Sequence, residues 1–86
     1  MANSSSARKR ARQSERNRQH NAAQRSYVRM MIKKVVNAVA AGDKKAAEDA
    51  YRSAVPAIDR SVSKGIMHRN KAARHKSRLS QHVKSL

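Results

Sequence analysis

The sequence predicts an all-α fold: a three-helix bundle with a long basic first helix, short glycine-marked turns and a second helix kinked at its proline. Three observations carry this. Apolar residues recur at three- and four-residue spacing in three separate stretches, the pattern of one-sided helical faces. The only two glycines, Gly42 and Gly65, separate those stretches. No segment sustains the period-two alternation of a half-buried strand, so strands are not expected.

The first stripe is Val28, Ile32, Val35 and Val39, with Met31 beside it. N-terminal to it, the only hydrophobic residues from Met1 to Ser26 are Met1 itself and alanines. Arg8, Lys9, Arg10, Arg12, Arg16 and Arg18 point almost all the way round a helical wheel, and a helix polar on every side has nothing to pack against. Ala and Arg favour helix, whereas the like-charge pairs Arg8/Arg12 and Arg12/Arg16 oppose it. The arm is therefore expected to fray in free solution and to form one long helix with Val28–Val39 when phosphates surround it. Ser4, Ser5 or Ser6 could cap it; the sequence does not choose among them.

Gly42 suits the residue just past a helix end, where φ is positive, and Asp43 suits the N-cap of the next helix. The second stripe is Ala47, Tyr51, Ala54, Ile58 and Val62. Pro56 lies within it and cannot donate to the Arg52 carbonyl. The apolar register continues across the proline, so a kink is expected; a break into two short helices is the alternative. Gly65 ends this helix, with Ile66 placed for the apolar contact of a Schellman turn. The third stripe is Ala72, Leu79, Val83 and Leu86. These signals predict helices over about 6–41, 44–64 and 68–84, in a single domain spanning 1–86.

Charge sets the function class. The chain of 86 residues carries 21 Lys and Arg against 5 Asp and Glu, a net charge of +16. Residues 1–34 hold ten Lys/Arg and one acid, residues 35–62 hold four of each, and residues 63–86 hold seven Lys/Arg and no acid. A neutral centre thus joins two basic arms. A basic face kept only for solubility would mix its signs. A charge of one sign attracts polyanions over long range, and nucleic acid is the commonest in a cell. Partners other than nucleic acid are not indicated: no stretch approaches the ~20 apolar residues of a membrane span, and a membrane-active cationic helix needs an apolar face that residues 1–26 lack. No homo-oligomer is expected.

Other classes find little support. With no Cys there is no disulfide framework and no thiolate metal site, which is compatible with a reducing cytoplasm. The N-terminus has no apolar segment of the secretory kind; it shares composition with a mitochondrial transit peptide, but the basic character runs far past any cleavage site. His68, His75 and His82 recur every seven residues, roughly 10 Å apart along a helix, too far to share a metal. No glycine-rich phosphate loop exists, and the adjacent Glu48 and Asp49 point apart. Neither catalysis, a cofactor nor a metal is expected. Tyr27 and Tyr51 are the only aromatics, so base stacking on aromatic rings cannot be the main mode. Recognition must rest on phosphates, ribose hydroxyls and the shape of folded RNA.

The candidate contacts follow from donors placed at several heights along rigid helices. In the first arm they are Arg8, Lys9, Arg10, Arg12, Arg16, Asn17, Arg18, His20, Asn21, Arg25, Arg29, Lys33 and Lys34. In the second they are Lys64, His68, Arg69, Asn70, Lys71, Arg74, His75, Lys76 and Arg78. Lys71, Arg74, His75 and Arg78 fall off the Ala72/Leu79/Val83 stripe, so packing and binding are separable on that helix.

Several stretches are distinctive as motifs. They are Met1–Ala2–Asn3, Ser6–Ala7–Arg8–Lys9–Arg10, Ser14–Glu15–Arg16, His20–Asn21, Arg25–Ser26, Ile32–Lys33–Lys34–Val35 and Gly42–Asp43. The longest is Lys64–Gly65–Ile66–Met67–His68–Arg69–Asn70–Lys71–Ala72–Ala73–Arg74–His75–Lys76–Ser77–Arg78–Leu79. Through them the chain resembles, end to end, the bacterial small-subunit ribosomal proteins of the S-twenty family. It departs at Tyr27–Val28, where that family often has methionines, and at Met67, where it often has Ile or Leu. Both are apolar exchanges. The resemblance implies a three-helix bundle with a long first helix, located in the cytoplasmic ribosome. It implies binding to 16S rRNA at the 5′ domain and the long penultimate stem, and early entry during assembly of the 30S subunit. DNA is not the partner it implies; a nucleoid or histone-like DNA binder is the competing reading from charge alone.

Overall fold

The computed structural model describes residues 5–86 and contains, among them, three helices and no strand. Helix α1 runs Ser5–Ala40, α2 runs Lys44–Ser63 and α3 runs Arg69–Lys84. Of the three candidate caps for α1, Ser4 lies outside the described residues, while Ser5 and Ser6 already belong to the helix.

The turns follow from the two glycines. Gly42 and Gly65 have φ of 74° and 72°, a region in which a side chain is strained. At the end of α1 the Gly42 amide donates to the Val39 carbonyl at 3.0 Å and the Asp43 amide to that of Ala38 at 3.1 Å. The same pair recurs after α2, with Gly65 on Val62 at 3.0 Å and Ile66 on Ser61 at 2.9 Å. Both are Schellman turns, which satisfy carbonyls that a helix end leaves without donors. Asp43 also starts α2, its Oδ1 accepting from the Ala46 amide at 3.1 Å. His68 starts α3 from outside it: its Nδ1 accepts from the Asn70 amide at 3.1 Å.

Helix α2 passes through Pro56 without a break, so the two-helix alternative is not realised. Arg52 and Pro56 are both exposed, so the carbonyl that lacks a donor lies on the solvated side, where water can satisfy it.

The core consists of Val28, Met31 and Val35 from α1, Ala47, Ala54, Ala57 and Ile58 from α2, and Ala72, Leu79 and Val83 from α3. Alanines at four of these positions let the helices approach closely. Ile58 and Val35 are wholly buried. Ser61 is buried too, its Oγ donating to the Ile58 carbonyl at 2.6 Å. On α1 the packing face is rotated from the expected stripe: Met31 is buried and Ile32 only partly. Helix α2 is the hub on which α1 and α3 both pack, whereas α1 and α3 touch less.

Burial on α1 begins only at Val28; almost everything N-terminal to it is exposed. The stretch from residue 5 to about residue 19 projects beyond the bundle, α1 meeting the end of α2 from His20 onward, and the molecule measures 61 × 21 × 15 Å. Its radius of gyration is 17.5 Å, against about 12 Å for a compact chain of this length.

Candidate nucleic-acid interface

The projecting half of α1 presents Arg8, Lys9, Arg10, Arg12, Arg16 and Arg18, all exposed, with Asn17 and His20 among them; Asn21 is half-buried. Glu15 organises one of these cations. The Arg18 guanidinium donates to Glu15 through Nε at 2.9 Å and Nη2 at 2.6 Å, and the Gln19 amide adds a bond at 3.2 Å. The paired guanidinium holds the Glu15 carboxyl below its ordinary pKa, and the carboxylate raises that of Arg18. The forked geometry fixes Arg18 in direction while leaving it in solvent. One turn on, the His20 Nε2 and the Gln24 amide nitrogen lie 2.8 Å apart.

Where α1 enters the bundle, the two basic arms meet. Arg25, Arg29 and Lys33 follow one another at four-residue spacing along α1, and across from them stand Lys71 and His75 of α3. Between them opens a cleft of about 560 Å³, also lined by Val28, Ile32, Val36, Ile66 and Met67. On α3 a smaller hollow of about 270 Å³ is formed by Lys71, Arg74, His75 and Arg78. His75, part-buried, has its pKa lowered first by burial and then by the charges of Lys71, Arg78 and Arg74. The neutral imidazole is thus favoured, with one nitrogen donating and the other accepting.

A third basic hollow, of about 260 Å³, lies where α1 crosses the end of α2 and is lined by His20, Gln24, Tyr27, Arg60 and Lys64 among others. Arg60 was not among the sequence candidates. It belongs to the charge-neutral centre, and only the crossing of the helices brings it beside Lys64. His68 and Arg69 line a shallower depression with Gly65 and Met67. Lys34 is exposed, and the Asn70 amide serves the His68 cap.

Lys76 differs from the rest. Its Nζ donates to Asp59 Oδ1 at 2.8 Å, and its carbonyl accepts from the Tyr51 hydroxyl at 3.4 Å. Lys76 therefore clasps α3 to α2, with only 35% of its side chain exposed. The three evenly spaced histidines do not converge: His68 caps α3, His75 lines the cleft and His82 lies in the last turn. Among the described residues no group of three His, Cys, Asp or Glu is placed to hold a metal, and no helix is long and apolar enough to cross a membrane.

Comparison with known proteins gives a consistent picture. The family profile described as Ribosomal protein S20 matches residues 2–84. The small ribosomal subunit protein bS20 of Alkalilimnicola ehrlichii is 62% identical over 86 residues, covering 100% of this chain and 98% of its own length. That of Thioalkalivibrio sulfidiphilus is 63% identical, covering 100% of both chains. That of Acinetobacter baylyi is 62% identical, covering 100% of this chain and 97% of its own.

Proposed function

This chain belongs to the ribosomal protein S20 family, and on that premise we propose that it is a structural constituent of the bacterial small ribosomal subunit that binds 16S rRNA directly. It works in the cytoplasm, within the ribosome, as a scaffold rather than as an enzyme. One observation carries the direct-binding reading: the fold brings Arg25, Arg29 and Lys33 of α1 against Lys71 and His75 of α3, and extends that basic surface along the projecting half of α1. A surface of one sign, over a molecule 61 Å long, engages phosphates of more than one RNA helix at once. Phosphate contacts position a protein without reading sequence. Specificity then lies in the RNA shape that satisfies the projecting helix and the bundle together. Resemblance to the family supports the 5′ domain and the penultimate stem of 16S rRNA as those RNA elements, and clamping them together early would favour subunit assembly.

The test is a competition between folded 16S rRNA and duplex DNA at matched phosphate concentration. The rRNA is expected to win by orders of magnitude at physiological salt. For about six to ten neutralised phosphates, affinity should fall roughly 10³–10⁵-fold between ~50 and ~200 mM salt on a duplex, and folded RNA should follow the same trend. Equal affinity for the two nucleic acids would replace this reading with that of a general DNA binder.

A further inference from the structure

The cleft between α1 and α3 is not built like the rest of the basic surface. Phosphate binding alone calls for cations over a polar background. Here the floor is apolar: Val36 is 47% exposed, and Ile32, Ile66 and Met67 are only partly covered. The cause is geometric. Helices α1 and α3 both pack on α2 and touch each other less, so an apolar strip of α1 is left only partly covered between two cationic walls. No lining residue is acidic. The volume, about 560 Å³, falls within the range of roughly 300–1,000 Å³ that holds small organic groups.

An occupant must therefore be flat or compact, largely apolar on its faces, and negatively charged at its edges. A nucleotide out of its stack has that chemistry. A second copy of this chain does not, because each copy carries +16 and the walls would repel it. We propose that this cleft receives a single unstacked nucleotide of the bound rRNA, its base against Ile32 and Val36 and its flanking phosphates on Arg29 and Lys33 of one wall and Lys71 of the other. This rests on the RNA-binding reading above and adds a subsite to it. Aromatic stacking is not needed: the aliphatic floor covers one face of the base, and an arginine plane can cover the other. His75 lies at the edge of the cleft. Held neutral by its surroundings, it offers a donor and an acceptor to a base edge.

The chain contains no cysteine, so Val36→Cys introduces a unique thiol on the floor. Small subunits reconstituted with the full-length variant, its thiol carrying an azidophenacyl group, are irradiated and the 16S rRNA is mapped by reverse-transcription stops. Stops at one or two unpaired nucleotides are expected. Stops spread along paired backbone, crosslinking to a subunit protein, or no crosslink at all would overturn the proposal; a protein crosslink would mean that an acidic segment fills the cleft. Gln13→Cys, on the projecting helix, is the control. RNA crosslinks from position 13 with none from 36 sink the subsite alone, and none from either sinks the RNA-binding reading as well. A second measurement uses Val36→Ser, which leaves the charge unchanged. Its affinity for full-length 16S rRNA should fall roughly five- to tenfold, the loss of one partly buried side chain, with an unaltered salt dependence. Lys71→Gln should instead reduce the salt slope by about 1. Wild-type affinity in Val36→Ser would also overturn the proposal.

Discussion

Helix α1 is two helices in physical terms. From Val28 onward it buries Val28, Met31 and Val35 against α2 and is held by tertiary packing. From Ser5 to Tyr27 it buries nothing fully and displays one charge after another to solvent. The same backbone geometry thus rests on two different forces. Isolated helices are marginal in water, and most helical stability in proteins comes from packing. The C-terminal half has that packing. The N-terminal half has propensity and local side-chain bonds such as the forked Arg18–Glu15 pair, set against repulsion between its own arginines. The bundle therefore folds by its own packing, while the projecting helix serves binding alone, and the two are joined without a hinge.

The sharpest way to test that division is to damage each half separately. Ile58→Ala, which empties a wholly buried site on α2 facing the core, should destabilise the fold by about 2–5 kcal/mol. That is enough to unfold a chain this small, and chemical denaturation followed by circular dichroism reads it. Ile32→Ala, on the partly exposed side of α1, should cost clearly less. Equal losses would mean that α1 packs on its Ile32 side as tightly as α2 does at Ile58.

Replacing Arg8, Arg10, Arg12 and Arg16 together by Gln should have the opposite profile. The bundle keeps its denaturation midpoint, because none of the four is buried. Affinity for 16S rRNA drops, and the slope of log K against log salt shrinks by roughly 3 to 4 if all four meet phosphates. Normal rRNA binding by this variant would remove the projecting helix from the interface.

Hydrogen exchange sharpens the same contrast at residue level. In free protein, amides between Ser5 and Gln19 are expected to exchange close to the rate of an unstructured peptide, while those around Val35 and Ile58 are protected. Adding 16S rRNA should slow the first group and barely alter the second. Strong protection of the projecting segment without RNA, at low salt, would show that it needs no phosphates to stay helical.

The smallest expected effect concerns His75. It faces Lys71, Arg74 and Arg78 on its own helix and Arg25, Arg29 and Lys33 across the cleft. Its folded pKa lies below the ordinary histidine value, so the unfolded chain binds the proton first as pH falls. This contribution to stability is complete above the unfolded pKa, near 6.5. It declines as pH drops below that value and through the lowered folded one. A modest fall in melting temperature between neutral and mildly acidic pH should therefore shrink in His75→Gln. Phosphates bound between the walls would offset the neighbouring cations and raise the His75 pKa, an upward shift that imidazole proton resonances should show on RNA binding. A downward shift would mean that anions do not enter the cleft.

Much of this architecture was legible in the residues because it is local. Helical periodicity depends only on neighbours three and four apart. Gly42 and Gly65 mark the ends of α1 and α2 because the turns there require positive φ, and Asp43 caps from its position alone. Charge segregation into two basic arms is likewise a property of the string. The sequence even allowed the separation of binding and packing faces on α3, since Ala72, Leu79 and Val83 share one stripe.

What the string does not contain is the angle at which helices cross. That angle decided that Met31 and not Ile32 turns fully into the core. It set Lys76 against Asp59, two residues on different helices, so that a cation read as a binding group is also a clasp. It brought Arg60 out of the neutral centre into a basic hollow beside Lys64. Above all, it joined the end of the first basic arm to the second across an apolar floor, where the sequence had shown two separate arms. Residues forty positions apart meet only through a shared partner, and α2 is that partner. Periodicity thus determined which helices form and where they stop; packing on α2 determined which of their charges act together.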